Sequence, residues 1–145
     1  MHAVFLDYKT VDANDLDLGS IKELLPEIVV HPFSNEAEVL ERIEQAEVAI
    51  ANKVVFDAGV FARASKLKLI CVTATGTNNI DLEAATRSGV VVCNIRDYCT
   101  DSVVQHVLLS ILTLMHSFKD YSDSIESGDW PVSYTHLTLP TILRV

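Results

Sequence analysis

Glycine is scarce in this chain. It stands only at positions 19, 59, 76, 89 and 128, so no G-x-G-x-x-G can be written and the glycine fingerprint of a dinucleotide fold is absent. Cysteine is scarcer still. Cys71, Cys93 and Cys99 are an odd set with no C-x-x-C, which argues against a disulfide framework or a zinc site and leaves small buried hydrophobes in a reducing compartment. Cys99 precedes a helix start, a position that lowers thiol pKa values, yet no base stands near it in sequence. Cations are also few: 11 Lys and Arg against 20 Asp and Glu give a net charge of −9. That balance argues against nucleic acid or an anionic membrane surface as partner. The most apolar segment, Val103 to Met115, is broken by Gln105, His106, Ser110 and Thr113 and is shorter than the roughly 20 residues that cross a bilayer. No basic stretch followed by an apolar one opens the chain at Met1, so no secretory leader is expected and a cytoplasmic location is.

What is present is a regular alternation. Ala3 to Leu6, Ile28 to Val30, Val48 to Ala51, Leu69 to Val72 and the apolar run after Gly89 read as short buried strands. Between them lie amphipathic helices. Ser20 with Glu23, and Asn35 with Glu38, have the spacing of a capping box, in which each side chain satisfies the other's backbone N–H. Val39, Leu40, Ile43 and Ala46 share one side of the second helix. Asp57 can cap a third carrying Val60, Phe61 and Ala64. A fourth runs from about Asp81 to Ser88, with Gly89 as its C-terminal cap. Continuous apolar strands separated by helices predict a parallel five-stranded α/β sheet covered on both faces. Such sheets bind ligands at the carboxyl ends of their strands, where this chain places Asp7, Asn52 and Lys53, Thr73 to Asn79, and Asn94.

Within Lys66 to Ile95, a strand runs into a polar loop around Gly76 and a helix follows. Loop N–H groups and a helix N-terminus at one spot form a seat for a small anion. Further on, Thr100, Asp101 and Ser102 open a long helix whose apolar residues, Val103 through Phe118, cover nearly its whole circumference. A helix of that kind needs partners on every side. After Gly128-Asp129-Trp130-Pro131 the alternation stops. VSYTHLTLPT resembles a conceptual translation of the transposase adapter used in short-read DNA libraries, so 132–145 is expected to be a non-native tail on a gene cut short.

Four segments carry a resemblance: AVFLD near the start, VAIANKVVFDA, LKLICVTATGTNNIDLEAATRSGVVVCN and TDSVVQHVLLSILTL. Together they resemble the N-terminal part of the D-isomer-specific 2-hydroxyacid dehydrogenases, and within that family the glycerate dehydrogenase or hydroxypyruvate reductase branch. The third segment is the most specific, matching strand, substrate loop and helix without a gap. The resemblance implies a flavodoxin-like substrate domain over 1–98, a hinge and arm helix over 99–131, and a coenzyme domain that is truncated. It implies an oxidoreductase moving hydride between NAD or NADP and C2 of a 2-hydroxy or 2-oxo acid, usually as a homodimer. By position, Thr75 and Gly76 correspond to the loop whose N–H groups hold the substrate carboxylate. Asn52 and Lys53 lie on a second loop facing the cleft, and Val103 matches a coenzyme contact in the arm helix, where plain helix packing is an equal reading. The family's catalytic Arg, Glu and His belong beyond this segment, so the chain is expected to be inactive alone. His2, His31, His106, His116 and His136 are not their substitutes. Two departures stand out: Asn78 replaces a common Asp, and Ile95-Arg96 replaces a pair commonly ending in Pro, leaving Arg96 as a loosened hinge or an exposed oddity.

Two rival classes share the fold. A nucleotide-sensing corepressor would keep the sheet and the arm helix, but the branch-specific loop argues against it. A phosphoacceptor receiver needs clustered acids at strand ends, and a flavodoxin needs a glycine-rich first loop. Asp7-Tyr8-Lys9-Thr10-Val11 satisfies neither.

Overall fold

The computed structural model describes Met1–Asp129, so the adapter-like tail lies outside the described residues. The chain divides into two compact units, Met1–Asp97 and Tyr98–Val145. The first is one parallel sheet of β1 (Ala3–Phe5), β2 (Ile28–Val30), β3 (Val48–Ala51), β4 (Leu69–Val72) and β5 (Val91–Asn94), in the order β2-β1-β3-β4-β5. Every pairing is parallel, with Phe5 beside Ile50, Ile50 beside Cys71, and Cys71 beside Cys93. The crossovers are α1 (Gly19–Leu24), α2 (Glu36–Ile43), α3 (Ala58–Arg63) and α4 (Leu82–Arg87).

Strand alternation divides the apolar residues between two faces. Val4, Leu6, Ala49, Ala51, Ile70 and Val72 form one core with Val39 and Ile43 of α2, Val60 and Phe61 of α3, and Ala84 and Ala85 of α4. Phe56, Leu6, Ile43, Ile70 and Val4 are its largest fully buried side chains, and burial of each contributes about 1.5–3 kcal/mol. Ala3, Phe5, Val48 and Ile50 are buried at the alternate positions. Burial fades toward the edge strand β5, where Val91 is 58% exposed. Cys71 is therefore only half-buried and Cys93 is exposed, a correction to the expectation of buried thiols. An edge strand has a neighbour on one side only.

The helix ends show which caps form. Asn35 and Glu38 make the full capping box, with Glu38 N donating to Asn35 Oδ1 (3.0 Å) and Asn35 N to Glu38 Oε2 (2.8 Å). The Ser20–Glu23 box does not form. Asp17 Oδ1 accepts the Gly19 N–H at 2.8 Å, the helix starts two residues early behind Leu18, and Ser20 falls inside the first turn. Gly89 ends α4 with φ +71°, a left-handed conformation that glycine adopts without penalty.

The loop after β1 is organised by Asp12. Its Oδ1 accepts from Asn14 N (2.9 Å), Asp15 N (3.2 Å) and Leu16 N (3.3 Å), and its Oδ2 from Lys9 Nζ (2.8 Å). The Lys9 hydrogen bond, chiefly, holds the Asp12 carboxyl down at about 2. A pKa depressed on folding adds stability above the unfolded value, about 3.9, and that stability is lost as pH falls through about 2. Carboxyl-carbon NMR should give Asp12 a midpoint near 2, and Lys9→Met should raise it toward the unfolded value. An ordinary Asp12 midpoint in the wild-type chain would show that the Lys9 contact is not kept.

The second unit contains α5 (Thr100–Met115) and α6 (Phe118–Glu126). One continuous helix through Phe118 was the sequence expectation. Instead Ser117 adopts φ +47°, ψ 43°, and a left-handed residue cannot continue a right-handed helix. The apolar circumference of α5 is exposed, with Leu109 and Leu114 more than half open.

Candidate functional site at the carboxyl edge of the sheet

Four loops leave the carboxyl ends of β1, β3, β4 and β5, and polar side chains join them. Asp7, directly after β1, is only 3% exposed. Its carboxylate reaches across to the end of β3, where Asn52 N donates to Oδ1 (2.9 Å) and Oδ2 (3.1 Å), and Lys53 N donates to Oδ2 (2.6 Å). A buried carboxylate is stable there because two backbone N–H groups replace its water. Asn52, itself buried, donates through Nδ2 to Thr10 Oγ1 (3.0 Å), and Thr10 Oγ1 donates to Asp7 O (2.7 Å).

The β3 loop is then tied to the β4 loop. Asn79 Nδ2 donates to Val54 O at 2.7 Å. Phe56 N donates to Asn79 O (2.8 Å) and Asp81 N to Phe56 O (2.9 Å), forming a parallel bridge between Phe56 and Ile80. Both ends of the glycine loop are thus held. Thr73 N donates to Ala51 O on one side, and the bridge closes the other.

Between these anchors the backbone turns to solvent. Thr75 and Gly76 are exposed, and among the described residues the N–H groups of Thr75, Gly76, Thr77 and Asn78 donate to no internal acceptor. Backbone donors lacking an internal partner need water or a ligand. Gly76 lies outside the left-handed region, which only Gly89 and Gly128 occupy among the glycines. Its role is therefore spatial. A Cβ there would lie 3.0 Å from Asn78 Oδ1 and otherwise meet nothing, so glycine leaves open the space above the loop amides. The helix that follows adds less than the sequence suggests. Asp81 caps α4 with Oδ1 on Ala84 N at 2.8 Å, so a carboxylate of the chain already takes up this helix end.

The sequence-derived residues therefore separate. Thr75 and Gly76 form the open amide run. The backbone N–H of Asn52 and its side-chain amide are engaged inside the fold. Lys53 lines a cleft of about 760 Å³ between α2 and α3, together with Asn35, Val54, Asp57 and Arg63, and Gly76 is not part of that lining. Val103 stands in the first turn of α5, 54% exposed, in the second unit. Asp7, Asn79 and Asn94 were placed at strand ends by sequence, but their joining bonds were not foreseen. Asp7 and Asn94 are each a polar residue ending an apolar run, a pattern that alone could have marked them, whereas Asn79 lies inside a polar loop and carries no such signal.

The family model for the D-isomer specific 2-hydroxyacid dehydrogenase catalytic domain matches residues 4–144. The chain belongs to this family. It is 40% identical to the glycerate dehydrogenase of Methylorubrum extorquens over 88% of this chain and 40% of that protein. It is 30% identical to the hydroxypyruvate reductase of Blautia hydrogenotrophica over 90% of this chain and 41% of that one. Among solved structures it resembles the NAD+-bound 3-phosphoglycerate dehydrogenase of Entamoeba histolytica, with 28% identity, a TM-score of 0.57, and coverage of 65% of this chain and 32% of that one. The chain thus spans about two fifths of the length of the two sequence relatives. The five glycines of the chain cannot be written as the G-x-G-x-x-G fingerprint of a dinucleotide fold. Among the described residues no helix is long and apolar enough to cross a membrane.

Proposed function

We propose that this chain is the substrate-binding part of an oxidoreductase that interconverts D-2-hydroxy acids and 2-oxo acids of the glycerate and hydroxypyruvate type. The observation that carries the reading is the run of N–H groups from Thr75 to Asn78 at the carboxyl edge of the sheet, which among the described residues donate to no internal acceptor. Thr75 and Gly76 donate to the substrate carboxylate, since hydrogen bonds to an ionised acceptor are about twice as strong as neutral ones. Asn52 acts one step back: fixed by Asp7 and Thr10, it receives Asn79 Nδ2 on its carbonyl at 3.4 Å and so supports the loop. Lys53 contributes positive charge on the neighbouring loop, and Val103 meets the coenzyme, NAD or NADP. The main coenzyme-binding motif and the proton transfer belong to the remainder of the longer protein, so the chain by itself is inactive. The whole enzyme is a cytoplasmic homodimer with no nucleic-acid or membrane partner.

Isotope-labelled chain titrated with hydroxypyruvate tests this reading. Amide resonances of Thr75 to Asn78 should move in a saturable way, while those of Val48 to Ile50, in the central strand β3 paired on both sides, should stay nearly still. Hydroxypyruvamide, which lacks the charge, should move them far less. Equal responses to acid and amide, or none at Gly76, would remove the carboxylate assignment.

A further inference from the structure

Asn94 ends β5, beside Val72 at the end of β4. Its Nδ2 donates to Thr75 O at 2.7 Å. Only the amide nitrogen can face a carbonyl oxygen, so this contact also fixes the orientation of the Asn94 side chain. The carbonyl of Thr75 and the N–H of Gly76 belong to one peptide unit. Among the described residues no peptide bond is cis, and in a planar trans unit the C=O and N–H point in opposite directions. Holding Thr75 O therefore aims the Gly76 N–H away from Asn94. The next turn of chain strengthens the hold, since Ile95 N donates to Ala74 O at 3.1 Å. Resting on the carboxylate reading above, we propose that Asn94 is a positioning residue for the anion seat, locking the Thr75–Gly76 peptide plane so that its N–H meets the substrate carboxylate.

Chemistry separates this role from simple packing. A neutral amide is required at 94. An aspartate of the same shape would set a carboxylate against Thr75 O and beside the incoming anion. Asn78, whose Oδ1 lies closest to the space above Gly76, is likewise neutral, so no carboxylate of the loop itself opposes the ligand.

Two readouts on the full chain test the proposal. The first uses no ligand. Loss of the bond in Asn94→Ala should shift the Thr75 carbonyl-carbon resonance and change hydrogen exchange at Gly76, with far-UV circular dichroism unchanged. Asn94→Asp should shift both further. If the Thr75 carbonyl is the same in all three proteins, the positioning role is overturned whatever the site binds. The second is the hydroxypyruvate titration. Asn94→Ala should bind roughly fivefold to tenfold more weakly, the worth of one ordinary hydrogen bond, and Asn94→Asp should lose the acid while keeping its weak response to hydroxypyruvamide. Equal acid binding by wild type and Asn94→Ala would refute the inference and leave the carboxylate reading standing. Absence of binding by wild type would refute that reading, and the ligand-free readout would still decide the role of Asn94 in the loop. If Asn94→Asp does not fold, the Ala variant carries both readouts.

Discussion

Asp7→Ala is expected to lower the unfolding free energy by about 3 kcal/mol or more, since hydrogen bonds to a charged acceptor are worth about 1.5–3 kcal/mol each. Two are at stake, from Asn52 N and Lys53 N. Both donors would be left without a partner in a part of the fold where Asp7 itself is 3% exposed. Asp7→Asn should cost roughly half as much, because one amide oxygen still accepts while the NH2 opposes the second donor. Urea denaturation followed by circular dichroism checks the order wild type, Asn, Ala. Wild-type stability in the Ala variant would show that the carboxylate does not join β1 to the end of β3. The effect should also reach the site, because Asn52 and Asn79 lie between Asp7 and the glycine loop.

Gly76→Val is expected to leave the fold standing and disable the seat. The backbone at 76 lies outside the left-handed region, so a side chain is conformationally allowed. The single near neighbour of a new Cβ is the Asn78 amide oxygen at 3.0 Å, the end of a side chain that can rotate away. The valine methyls would fill the space the carboxylate needs. Loss of two charge-assisted bonds at about 1.5 kcal/mol each corresponds to roughly a 100-fold rise in KM for the 2-oxo acid in the full-length enzyme, with the melting temperature almost unchanged. An unaltered KM would place the carboxylate elsewhere.

Much of the fold was legible because apolar spacing is a local property. Five strands, the Asn35–Glu38 box, the Asp57 cap and the Gly89 stop all follow from residues within a few positions of one another. Where sequence misled, a competing local bond decided. Asp17 took the Gly19 N–H and displaced the Ser20 box, and the left-handed Ser117 ended α5 before Phe118. The buried-thiol expectation failed at Cys93 because an apolar strand pattern does not say which strand lies at the sheet edge.

The site divides along the same line. Sequence by itself determined a parallel α/β domain and a glycine loop between strand and helix, because short-range periodicity and capping encode both. It also determined the family, through an ungapped run of residues from Leu67 to Asn94. Only the tertiary structure decided which donors stay free. Asp7 and Asn52 meet across 45 positions, Asn79 and Val54 across 25, and Asn94 and Thr75 across 19. Such pairings depend on which strands the sheet places side by side. Once made, they use up the amides of Asn52 and Lys53 and leave those of Thr75 and Gly76 open, so the packed sheet sets the place of the anion seat.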